Sequence, residues 1–89
     1  RFYREVRIME TRIALIGIIV ENPDSVDQLN RLLHENRQYI VGRMGIPYSK
    51  QNVNIISIVI DAPGDTISAL AGKLGLLDGV NVKTIYSKK

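Results

Sequence analysis

The sequence predicts an α+β fold of the ferredoxin-like type, a βαββαβ sandwich whose four-stranded antiparallel sheet carries two helices on one face. Three observations lead there. An apolar run, a Pro-containing turn, an acidic helix start and a helical apolar stripe occur twice. Each copy is followed by another strand-length segment, Tyr39 to Ile46 and Val80 to Tyr86. The chain has 89 residues, room for one domain only. The repeat aligns Ile16 with Ile56, Glu21 with Asp61 and Pro23 with Pro63. After one inserted residue, Gly64, it resumes with Asp24 on Asp65, Val26 on Ile67, Leu29 on Leu70 and Leu33 on Leu74. Two right-handed β-α-β units interleaved in so short a chain give the split arrangement, whereas solenoids need three or more repeats.

Residues 9–89 are expected to form the single domain. Residues 1–8 read either as a packed arm, through Phe2, Tyr3, Val6 and Ile8, or as sequence upstream of a natural start at Met9. This segment holds three arginines against one glutamate and so carries two units of the net charge of +3. The domain itself therefore has no broad basic footprint for nucleic acid, and the sheet has no phenylalanine on which an RNA base would stack. No apolar run approaches the ~20 residues of a membrane span. Ile13 to Val20 is too short for one and lacks a signal-peptide cleavage pattern. A cytoplasmic protein without membrane contact is the default expectation. Cysteine is absent, which excludes disulfides and thiolate metal sites.

Strand one, Arg12 to Val20, puts Ile13, Leu15 and Ile19 on one face and Ala14, Ile16, Ile18 and Val20 on the other. Strand three repeats this with Val53, Ile55 and Val59 opposite Ile56, Ile58 and Ile60. Two crossover helices cover one sheet face, so the second apolar face needs another cover. A further copy of the chain is the simplest, and a homodimer or homotetramer through the sheet face is expected.

The first helix is expected to have Asn22 as N-cap, Pro23 at its first position and Asp24 complementing its positive end. Val26, Leu29 and Leu33 form the inward stripe, widened by Leu32. Asp27 and Arg31 make an ordinary surface pair, and His34, the one histidine, is more often solvated than a ligand at such a position. The second helix is expected to start with Asp65 as cap and to bury Ile67, Leu70, Ala71, Leu74 and Leu77. Gly72 and Gly75 each cost about 1 kcal/mol there relative to alanine. Close packing against a neighbouring element, or termination near Gly75, would explain them better than a ligand on the bare backbone. Asp78-Gly79 supplies the turn into the last strand, with Gly79 suited to a left-handed conformation. Residues 45–52, GIPYSKQN, read as a loop, with Pro47 stopping strand two.

Catalytic chemistry is not legible. No serine can be paired with a base and an orienting group. One histidine and scattered acids do not make a metal site. Gly72-Lys73 lacks the spacing and the position of a phosphate loop. No catalytic residue, metal ligand or cofactor is assigned. The two strand-to-helix turns, 21–24 and 61–65, are expected at one end of the sheet. Their helix N-terminal amides are capable of holding an anion, although capping acids fill that role.

Arg43, Gly45 and Pro47, then Asn52, Asp65-Thr66-Ile67, Ala69-Leu70, Gly72-Lys73-Leu74-Gly75, Gly79-Val80 and Val82-Lys83-Thr84 together resemble the iron-only hydrogenase system regulator family, from about Thr11 to Lys83. The resemblance implies an ACT-like regulatory domain, akin to the ligand-binding half of the nickel-responsive repressor, working as a dimer or tetramer in transcriptional regulation. Two departures matter: the histidines and cysteine of that repressor's nickel site are missing, and so is its ribbon-helix-helix segment. Direct nucleic-acid binding is therefore not expected. ACT-like effectors often sit at the first strand-to-helix turn on a subunit interface, which carries over to Asn22, Pro23 and Asp24. A regulatory module with a small effector is thus the first reading. An adaptor oligomer acting on a protein partner without a ligand is the alternative, and a small enzyme ranks last.

Overall fold

The structure, a computed structural model, describes residues 10–88; the arm reading and the start at Met9 lie outside the described residues. β1 (Arg12–Val20) and β3 (Val53–Ala62) form the antiparallel centre of a four-stranded sheet. β2 (Ile40–Tyr48) flanks β3 and β4 (Val80–Tyr86) flanks β1, each antiparallel to its neighbour. The placement follows from composition. The two strands with apolar residues on both faces occupy the centre. The strands carrying Arg43, Pro47, Asn81 and Lys83 take the edges, where a missing N–H or a charge is tolerated.

α1 (Val26–Glu35) and α2 (Gly64–Gly75) pack on one face. Leu29, Leu33, Ile67, Leu70 and Leu74 meet Ala14, Ile16, Ile18 and Val20 of β1 and Ile56, Ile58, Ile60 and Ala62 of β3 in one core. Each fully buried Leu or Ile stabilises by about 1.5–3 kcal/mol relative to exposure, so this layer holds the chain together. Among the described residues Ser25 is the buried polar one, and its hydroxyl donates to the Asp78 carbonyl at 2.6 Å.

Several local expectations change. Asn22 does cap, but it caps a 3-10 turn, Pro23–Ser25, and the α-helix begins only at Val26. Asp65 is not the cap of α2. Pro63, with φ −55° and ψ 144°, occupies that position, and its carbonyl accepts from Thr66 N at 2.9 Å and Ile67 N at 3.2 Å. Asp65 sits in the first turn, where its negative charge complements the positive end of the helix dipole. Pro47 does not stop β2: the strand runs on to Tyr48, and residues 49–52 alone form the turn, with Asn52 at φ 58°. The two strand-to-helix turns lie at opposite ends of the sheet, because Arg12 pairs with Ala62 while Val20 pairs with Asn54. An antiparallel central pair requires this.

The glycines separate into two kinds. Gly79 has φ +69°, and a Cβ there would lie 2.6 Å from Asn22 Cβ and 2.9 Å from Asn22 N. A Cβ at Gly72 or Gly75 would meet nothing within 4 Å among the described residues, so close packing there does not explain them; the helix does end at Gly75. Two outcomes follow, both read from urea denaturation at one protomer concentration. Gly79→Ala destabilises by about 2 kcal/mol or more, combining left-handed strain with the clash. Gly72→Ala stabilises by about 0.5–1 kcal/mol, since alanine is the better helix former and meets no obstruction.

Candidate functional site

Two regions bear on function, the open face of the sheet and the end of the sheet at which β1 leaves for α1. Strand alternation builds the first. Ile13, Leu15 and Ile19 point away from the helices and stay 52%, 41% and 43% exposed, as the sequence predicts. The registers set three rows across the middle. Val59, Leu15 and Ile85 lie side by side in one, and Ile46, Ile55, Ile19 and Asn81 in another. Between them runs Met44, Ser57, Gly17 and Lys83. Two apolar ridges therefore flank a furrow that is shallowest in side-chain bulk at Ser57 and Gly17. Among the described residues, a Cβ at Gly17 would meet only the Lys83 carbonyl oxygen, at 3.8 Å, so packing among them does not demand the small residue.

At the end of β1, the structure brings Asn22, Pro23 and Asp24 together in the 3-10 turn. Asn22 Oδ1 accepts from Asp24 N at 2.9 Å, and Asn22 Nδ2 donates to the Asp78 carboxylate. Glu21 N donates to the Gly79 carbonyl at 2.7 Å, and Asn81 Nδ2 donates to Glu21 Oε1 at 3.1 Å. The turn is thus laced to the α2–β4 connection, and both ends of the Asn22 carboxamide are engaged. Asp24 remains exposed, with a charge that repels anions.

Pro23 forms one wall of a cleft of about 210 Å³, shared with Tyr48, Asn52 and Asn54. A second cleft of about 250 Å³ adjoins it through Pro47 and Asn54 and runs between α1 and β2, past Val26, Asn30, Arg43 and Gly45. Arg43 donates through an NH2 nitrogen to Asn30 Oδ1 at 2.8 Å. Reading β2 as ending before Pro47 concealed this groove. The available signal was the alternation itself, since Arg43, Gly45 and Pro47 fall on the helix-bearing face. His34 is exposed on α1, away from these clefts. Among the described residues no three His, Cys, Asp or Glu side chains converge as a metal site requires, and no helix is long and apolar enough to cross a membrane.

Comparison with known proteins accords with this architecture. No curated protein shows significant similarity. Among solved structures, the uncharacterized protein TM1266 from Thermotoga maritima is 40% identical and superposes with a TM-score of 0.85, covering 89% of this chain and 100% of that one. The C-terminal domain of MgtC from Mycobacterium tuberculosis shares the fold at 12% identity and a TM-score of 0.69, covering 90% of this chain and 92% of that domain. A homoserine dehydrogenase from Thiobacillus denitrificans, 18% identical with a TM-score of 0.62, contains the fold in 18% of its length, matching 90% of this chain. A family model described as "Iron-only hydrogenase system regulator, putative" matches residues 12–84. Matched over nearly all of its sheet and both helices, the chain belongs to this TM1266-like family.

Proposed function

We propose that the chain is a non-enzymatic, ACT-like regulatory module of an iron-only hydrogenase system, assembling through its open sheet face and binding a small effector at the resulting interface. The observation that carries this reading is the apolar open face of the central pair. Strands about 4.8 Å apart and about 27 Å long make a four-stranded face of roughly 500 Å² in plan, and its exposed aliphatic rows are the kind of surface that marks an interaction site. A second copy stacked about 10 Å away supplies an equivalent face, and the twist of each sheet sets the crossing angle. The furrow at Gly17 and Ser57 suits such stacking, because a ridge of one sheet seats where the other lacks bulk. Transcriptional control would then act through whichever assembly the effector favours, since a ligand shifts an equilibrium only by its differential affinity for the two states.

One observation favours the alternative, an adaptor that acts on a protein partner without a ligand. The Asn22 carboxamide, expected at the effector site, is already bonded at both ends.

Light scattering tests the assembly. The chain is expected to run as a dimer or tetramer, and Leu15→Glu, at the centre of an apolar row, is expected to give the monomer mass with an unchanged far-UV spectrum. An oligomer that survives Leu15→Glu and Ile19→Glu together refutes the sheet-face interface. Thermal shift separates effector from adaptor. A ligand at 100 times its Kd raises stability by about 2.7 kcal/mol; the adaptor reading expects no shift with any amino acid, nucleotide or metal ion.

A further inference from the structure

We propose that the groove between α1 and the edge strand β2 is a binding site for a small organic carboxylate, with the Arg43 guanidinium as its anchor. Its regulatory consequence rests on the function proposed above, while the binding itself is separately measurable. β1 and β3 face the helices with isoleucines, but β2 presents Arg43, Gly45 and Pro47, paired with Ile58, Ile56 and Asn54. Among the described residues, a Cβ on Gly45 would touch only Ile56 Cγ1, at 4.0 Å, so none of them fills the space above it. The result is the cleft of about 250 Å³, with apolar surface from Val26, Pro47 and Ile56.

Its polar groups converge on one chemistry. The bond from Arg43 to Asn30 Oδ1, 2.8 Å long, fixes the guanidinium at the groove while using one of its five N–H donors. Asn54, half-buried where the two clefts meet, has no side-chain hydrogen-bond partner among the described residues. Among the described residues, no aspartate or glutamate lines either cleft, and Arg43 is the one charge there. A planar carboxylate matches the guanidinium fork in two parallel bonds. A zwitterion's ammonium would find no opposite charge, which disfavours amino acids. A phosphate dianion would meet a single cation. The small cleft suits a short branched acid whose body lies on Val26 and Ile56, with a hydroxyl or carbonyl beside the carboxylate to engage Asn54.

The test is an amide-resolved NMR titration of the full chain with 2-hydroxyisovalerate, valine and inorganic phosphate, alongside light scattering. Saturable shifts at Arg43, Gly45 and Asn54 with a Kd of about 1 mM or below are expected for the hydroxy acid, with binding at least about tenfold weaker for the other two. Arg43→Gln is expected to weaken the hydroxy acid at least about tenfold at unchanged mass. Asn54→Leu is expected to erase the preference for 2-hydroxyisovalerate over isovalerate, and it decides the matter if Arg43→Gln fails to fold. Absent or unsaturable shifts, phosphate or valine binding as tightly, or variants that bind like the parent overturn the proposal. A monomer that still binds overturns the assembly reading and leaves this one standing; an oligomer without saturable shifts does the reverse.

Discussion

The antiparallel pairing of β1 with β3 is the constraint on which the other features depend. Both strands carry branched aliphatic side chains on both faces, a composition suited to a fully covered strand. Helices can follow only from the strand ends, and the right-handed crossovers deliver both to the same side. One face is therefore sealed by α1 and α2, and the other keeps its aliphatic side chains exposed. The mixed strands, with glycine, proline, asparagine and lysine, are relegated to the outside by the same logic.

A second constraint operates at the end of the sheet. Val20 pairs with Val80, so the chain leaving β1 and the chain entering β4 run side by side there. Asn22, Asp78 and Gly79 resolve the crowding. The glycine gives up its Cβ so that Asn22 can approach, and Asn22 ties the two connections together. That arrangement commits the polar atoms of the β1–α1 turn to structure. Along β2 the situation is reversed: the guanidinium of Arg43 and the carboxamide of Asn54 retain bonding capacity beside a strip of sheet without bulk.

Much of the fold was legible because hydrophobic alternation and the Pro-centred repeat are strong local signals. Strand faces at Ile13 to Val20 and Val53 to Ile60, the inward leucines of both helices and the left-handed Gly79 all follow from spacing alone. The errors share a cause. Proline was read as a terminator at Pro47 and as a mere turn residue at Pro63, although an edge strand accommodates the first and helix geometry recruits the carbonyl of the second. Reading the repeat as translation also put both turns at one end, when antiparallel pairing inverts the second copy relative to the first. The candidate turn at Asn22 to Asp24 could be located from capping preference. That its carboxamide is already spent on Asp78, 56 residues away, could not, because no local pattern encodes so distant a partner.

The placement of Pro47 and Lys83 has a consequence for how growth of an assembly is limited. A sheet with two open edges can add strands indefinitely, whereas stacking through one face consumes that face and stops. Here one border lacks an amide and the other bears an ammonium, so lateral strand addition is discouraged on both sides. Under the assembly proposed above, association would use the open face, a geometry that closes on itself. The exposed branched aliphatic surface of this chain thus lies on a face and not along an extendable edge, which guards against growth into fibres.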